Sequence, residues 1–137
     1  MDALRGYTSD QLFAEIKRRV TCQNKPKKNI IMVGPPGSGK GTQGPKIRDD
    51  LCICHLATGD MLRDAVSKGT ATGLIAKDVM ASGGLVSDEL GIDLVKENMG
   101  GAECERGILL DGFPRTTVQA EKLDVMFKEQ GKQIDQV

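Results

Sequence analysis

The stretch NIIMVGPPGSGKGTQ, residues 29–43, decides how the chain is read. NIIMVG (29–34) is a short apolar run ending at glycine, the pattern of a strand buried on both faces. GPPGSGKGT (34–42) then sets four glycines, two prolines, a lysine and a closing threonine in nine positions. No helix or strand interior suits that composition. A helix from about Lys40 to Asp50 follows, with Gly44 and Pro45 as poor helix formers that predict a kink in its second turn. A strand, a glycine loop and a helix in this order make a phosphate-binding loop. Glycines let backbone N–H groups curl around phosphate oxygens, and the helix N-terminus adds partial positive charge. Lys40 supplies a full charge for β- and γ-phosphates. The usual pattern places a Ser or Thr directly after the lysine. Here Gly41 intervenes and the hydroxyl comes from Thr42. The competing reading is an ordinary glycine-rich turn; the loop, its flanks and the lysine together favour nucleotide binding.

Outward from the loop, apolar runs alternate with helical patterns. CICHLA (52–57) and GILLDGFP (107–114) read as two more buried strands. TGDMLRDAVSKG (58–69) and TATGLIAKDVMASGG (70–84) read as short helices closed by glycines. SDELGIDLVKENMGG (87–101) is capped by Ser87 with Asp88 and Glu89 in its first turn. TTVQAEKLDVMFKEQG (116–131) is amphipathic, with Val118, Leu123, Met126 and Phe127 expected inward. QIDQV at the end resembles the approach to a further strand. Continuously apolar strands between helices predict parallel strands in an α/β layer architecture. Upstream, Thr8 to Gln11 is a capping-box pattern. Leu12, Phe13, Ile16 and Val20 then share one helical face expected to dock. QNKPKKN (23–29) reads as a linker.

At 137 residues there is room for one domain with a modest core. The 19 basic residues equal the 19 acidic ones, and aromatics are one Tyr and three Phe. This excludes a basic duplex-binding surface and stacking platforms, so no nucleic-acid partner is expected. No apolar run reaches membrane-spanning length, so no membrane partner is expected either. Asp2, Asp10 and Glu15 fit neither a secretory signal nor an acid-poor transit peptide. The expected location is cytoplasmic, with a mitochondrial compartment left open. Cys22, Cys52, Cys54 and Cys104 form no C-x-x-C pair. They read as small buried apolar residues in a reducing compartment rather than as ligands or bridges, with Cys52 and Cys54 on the same side of one strand.

Ile108, Leu109 and Leu110 lead into Asp111, an acid at the carboxyl end of a buried strand. Beside a phosphate loop, such an acid orients Mg²⁺, usually through water. GPPGSGKGTQ (34–43), HLATGDMLR (55–63) and LLDGFPRT (109–116) together resemble the adenylate kinase family, and so does the displaced Thr42. The resemblance runs from about Asn29 to Val137. The N-terminal helix and basic linker are similar to the extension of longer eukaryotic members.

That resemblance implies a P-loop NTPase-type three-layer α/β sandwich with a parallel sheet, of which only strands 1–3 fall in this sequence. It implies an N-terminal helix and linker over 1–28, an incomplete core over 29–56 and 87–137, and a small helical AMP-binding insertion over 57–86. ATP would be bound by Gly37, Ser38, Gly39, Lys40, Gly41 and Thr42. AMP would be bound by Thr58, Arg63, Leu85, Val86, Gly112, Arg115 and Gln119. Lys40 and Arg115 would be catalytic, and Thr42 and Asp111 would serve Mg²⁺. The reaction implied is ATP + AMP ⇌ 2 ADP, by direct in-line transfer in a monomer. Arg63 and Arg115 suit phosphate because a guanidinium presents a planar fork to its oxygens. Thr58 favours AMP, since pyrimidine-directed relatives tend to carry Ala there. Two competing local roles stay open. Gln119 fits a capping box with Thr116, and Thr58 fits a helix cap.

The family implies about another hundred residues past Val137, carrying two core strands, the lid over ATP and further arginines. Its strand order, 2-3-1-4-5, leaves residues 30–33 at an edge here and predicts marginal stability and self-association. Two other readings remain beside the kinase: a non-catalytic nucleotide-binding module, and a UMP/CMP-type kinase.

Overall fold

A computed structural model of the chain describes residues 2–83 and 87–137. Helix α1 (Ser9–Cys22) leads to strand β1 (Ile30–Met32), helix α2 (Lys40–Leu51) and strand β2 (Cys54–Ala57). Helices α3 (Thr58–Lys68), α4 (Ala71–Ala81) and α5 (Asp88–Asn98) follow. Strand β3 (Ile108–Asp111) and helix α6 (Thr117–Glu129) complete the order. The sheet is parallel with order β1-β3-β2. The fold is therefore α/β, with β1 at an edge. No described helix is long and apolar enough to cross a membrane.

The core forms where the apolar runs meet. Ile108, Leu109 and Leu110 of β3 are buried on both faces, as expected of a central parallel strand. Leu94, Val95, Leu123 and Phe127 close over the core from α5 and α6. Each such side chain contributes about 1.5–3 kcal/mol on burial. The caps read from sequence form: Thr8 and Gln11 make the reciprocal capping box, and Ser87 accepts from the Leu90 N–H at 3.1 Å.

Several expectations need correction. On α6 the inward stripe is Gln119, Leu123, Met126 and Phe127, whereas Val118 is 47% exposed. Val118 sits one residue, about 100°, off that stripe, so Gln119 takes the inward place. β2 starts at Cys54 rather than at 52, because Cys52 caps α2 with a left-handed backbone, φ 57°. Residues 52 and 54 are therefore not on one strand. α2 continues through Gly44 and Pro45 to Leu51. Gly44 has its own reason: a Cβ there would lie 2.8 Å from the His55 ring. Its absence lets α2 lie against β2.

The apolar face of α1 does not dock among the described residues. Phe13, Ile16 and Val20 are 72%, 58% and 64% exposed, and only Cys22 is buried. The cysteines are buried as expected at 22, 54 and 104, but they are bridged, Cys22 to Cys52 and Cys54 to Cys104. Sequence spacing could not show this, because the fold brings the partners together from 30 and 50 residues apart.

The outer edge of β1 is partly covered. The Ile31 N–H donates to Gln136 O at 3.0 Å and the Asp135 N–H to Asn29 O at 2.8 Å. Asn29 also holds this returning segment, its backbone N–H donating to Asp135 Oδ2 and its side-chain amide to Gln133 O. Residues 133–136 thus take up backbone groups of the edge, as the approach to a strand should. Val33 at the end of β1 stays 74% exposed.

On α1, Glu15 accepts hydrogen bonds from Arg18 and from Arg19, the latter at 2.7 Å. These two guanidinium groups lower its carboxyl from 4.5 to about 2. A lowered folded value means the stabilisation is present above the unfolded value and is lost as pH falls through the folded one. An NMR titration of the Glu15 carboxyl carbon is expected to give a midpoint near 2 at low salt. A midpoint near 4.5 would show that the two arginines do not hold it.

Candidate nucleotide phosphate site

All three strands end at one level. Met32 of β1 and Ala57 of β2 both lie in register with Asp111 of β3. The segments leaving those ends, 33–39, 58–63 and 112–116, therefore emerge side by side. Ligands of open α/β sheets bind at this carboxyl edge.

The loop after β1 has the backbone that its glycines allow. Gly37 and Gly39 take φ of 80° and 99°. Gly39 caps α2 without a side-chain bond, so the first-turn N–H groups face no capping acceptor and suit an anion. Lys40 curls over the loop, its Nζ donating to Gly34 O at 2.6 Å and to Pro35 O at 3.2 Å. Ser38, Gly41 and Thr42 lie exposed around it.

Lys40 faces the loop after β3 across a cleft of about 410 Å³, lined also by Gly34, Gly112, Phe113, Pro114 and Arg115. The Phe113–Pro114 peptide is cis. The Arg115 Nε donates to Gly112 O at 2.8 Å. Gly112, at φ 83°, is the meeting point of two further groups. A Cβ there would lie 3.4 Å from Arg115 Nη2 and 3.5 Å from Thr58 Oγ1. Thr58 is the first residue of α3, not its cap, which is Ala57. Among the described residues, its hydroxyl is the one buried side-chain oxygen or nitrogen without a partner. A buried hydroxyl without a protein partner suits a hydrogen bond from a bound molecule or a water.

The structure thus brings Lys40, Gly112, Arg115 and Thr58 together. Arg63 stands apart from the cleft, ion-paired with Asp60 on the exposed side of α3. Gln119 is buried, and its Oε1 accepts from the Arg115 N–H at 2.7 Å while its own N–H donates to Thr116 Oγ1. It fixes the backbone of Arg115. Leu85 and Val86 lie outside the described residues.

Asp111 is mostly buried, and its Oδ2 meets His55 Nε2 at 3.1 Å. The sequence reading missed His55. One signal pointed to it: a lone histidine inside a buried strand needs a polar partner. Among the described residues no cluster of three or more His, Cys, Asp or Glu could hold a metal. A cation here needs oxygens from a ligand as well as from the chain. The Thr42 hydroxyl and Asp111 carboxylate are hard oxygen donors of the kind Mg²⁺ takes.

A parallel α/β sheet with a glycine phosphate loop between a strand and the helix that follows it defines the core of a P-loop nucleotide-binding fold. The family model of adenylate kinase matches residues 32–137. The chain is 53% identical over 134 residues to "Adenylate kinase 3" of Oryza sativa subsp. japonica, covering 98% of this chain and 56% of the relative. It is 53% identical over 134 residues to "Adenylate kinase 4" of Arabidopsis thaliana, covering 98% and 54%. It is 54% identical over 108 residues to an adenylate kinase of Laccaria bicolor, covering 78% and 42%. The chain belongs to the adenylate kinase family. It spans about half the length of the curated relatives it matches.

Proposed function

We propose that the chain carries the phosphate- and AMP-binding half of an adenylate kinase, acting in ATP + AMP ⇌ 2 ADP. The observation that carries this is Lys40 facing Gly112 and Arg115 across one cleft, with the unpaired Thr58 hydroxyl beside Gly112. A donor phosphate binds on the loop N–H groups, Gly37 to Thr42, with Lys40 on its transferring end. An acceptor monophosphate binds on Arg115, its base or sugar satisfies Thr58, and Arg63 joins the phosphate on leaving Asp60. Gln119 then acts on AMP through the Arg115 backbone it holds. Thr42 and Asp111 would hold the Mg²⁺ that accompanies ATP, which would supply positive charge against the phosphates. Cations flanking both phosphates lower the repulsion opposing in-line transfer.

Calorimetric titration with AMP, UMP and CMP tests the acceptor site, and ADP formation from MgATP plus AMP tests turnover. AMP is expected to bind most tightly. Arg115→Ala is expected to weaken AMP by at least about tenfold, because a charge-assisted hydrogen bond is worth about 1.5–3 kcal/mol. Tighter UMP or CMP would make this a pyrimidine-directed kinase. AMP binding without ADP formation would leave a binding module.

A further inference from the structure

The two disulfides lie side by side but differ in setting. Cys54–Cys104 joins β2 to the short turn before β3, and both its residues are buried, at 7% and 5% exposure. Cys22–Cys52 joins the last residue of α1 to the cap of α2, and Cys52 is only half-buried while Cys22 is buried. Both bridges line one cleft of about 560 Å³, on which Arg18 and Arg48 also sit. A small thiol can therefore reach Cys52, the most exposed cysteine of the two bridges.

Little else fastens α1. Among the described residues its apolar stripe is exposed, and no helix or strand packs on it extensively. Beyond the bridge, Arg106 holds the linker that follows, its guanidinium donating to Gln23 O at 2.6 Å and to Lys25 O at 3.0 Å. Cys22–Cys52 is thus the covalent tie between α1 and the helix that carries the phosphate loop.

We propose that Cys22–Cys52 is a thiol–disulfide exchange site whose opening frees α1 while Cys54–Cys104 and the core stay closed. The reductant is a dithiol. One of its thiolates attacks Cys52 Sγ, the Cys22–Cys52 bond breaks, and Cys22 leaves as a thiolate that takes a proton from water. The reagent's second thiolate attacks its own sulfur in the mixed disulfide and releases Cys52. Two electrons pass to the protein bridge, and the dithiol becomes a disulfide. This step is independent of what the nucleotide cleft binds.

Graded dithiothreitol, followed by iodoacetamide labelling and peptide mass analysis, tests the order of opening. Cys22 and Cys52 are expected to label together, at a dithiothreitol concentration at least about tenfold below that for Cys54 and Cys104. Hydrogen exchange of residues 9–22 is expected to rise at least about tenfold at that point, with residues 108–111 unchanged. Cys22→Ser, which removes only this tie, is expected to fold and to show the fast exchange without reductant. The proposal is overturned if Cys54–Cys104 opens first or in step, or if all four cysteines label without reductant. It is overturned equally if α1 stays protected after reduction, or if Cys22→Ser fails to fold, which would make the bridge a structural staple.

Discussion

Lys40→Met is expected to weaken MgATP by at least about a hundredfold and to lower any ADP formation by about 10²–10³, with the fold intact. Methionine keeps most of the lysine stem but removes the ammonium. In the structure that ammonium rests on Gly34 O and Pro35 O of its own loop, two acceptors a phosphate can replace. Losing those bonds costs the free protein little, since the loop is largely exposed and a net hydrogen bond is worth about 1 kcal/mol. Losing the cation where charge develops costs far more, about 2.7–4 kcal/mol for one well-placed donor. Thermal unfolding should therefore shift by only a few degrees. The readouts are calorimetric MgATP affinity, a coupled ADP assay and a melting curve. ADP formation or MgATP affinity within tenfold of the unsubstituted chain would remove Lys40 from the phosphate site. A collapse of the melting transition would make its loop bonds structural.

The strand–loop–helix order, the three strands and the caps at Thr8, Ser87 and Thr116 were legible because each is local, although only β3 is continuously buried, at Ile108, Leu109 and Leu110. Their signals lie within a few residues, and the backbone obeys them. Lys40 was named from its loop, and Gly112 and Arg115 through the family resemblance; the three line one cleft because parallel strands deliver their following loops to one edge. What was not legible depends on register and on packing between distant elements. His55 meets Asp111 only because β2 and β3 pair with Ala57 beside Asp111. The Cys22–Cys52 bridge exists only because Cys52 turns left-handed at the end of α2 and α1 ends beside it. The face of α1 shows a different limit. A perfect amphipathic pattern states that a helix can dock, but not that a partner surface lies within the same residues. Val118 and Gln119 show the finest limit, a one-residue choice of stripe that apolarity alone decides wrongly when the buried polar group has a backbone bond to make.

Gly107→Ala is expected to destabilise the chain by about 4 kcal/mol or more, the upper end of single-residue effects. Gly107 stands at the entrance to β3, where the linker before β1 crosses it. Its φ is 127°, a conformation that L side chains rarely adopt. A Cβ there would lie 1.8 Å from Lys28 O and 2.6 Å from Lys28 C. Both are backbone atoms, so no rotamer change relieves the overlap. Nor can the two segments part cheaply. Lys28 N–H donates to Arg106 O at 2.9 Å, Gly107 N–H to Cys104 O at 3.0 Å, and Cys54 N–H to Gly107 O at 3.2 Å. Moving Gly107 disturbs the linker, the turn before β3 and the start of β2 together. Gly69→Ala is the matched control. It also has a positive φ, 65°, but a Cβ there meets nothing within 4 Å, so only the conformational cost of about 1 kcal/mol applies. Denaturant unfolding of both variants separates the terms. A small domain holds about 5–15 kcal/mol in all, so Gly107→Ala should lose a large part of its stability and unfold at a much lower midpoint, while Gly69→Ala unfolds at a slightly lower one. If the two variants agree within about 1 kcal/mol, the linker does not press on the entrance to β3, and the edge strand β1 is held by its pairing with β3 and by residues 133–136 rather than by the linker.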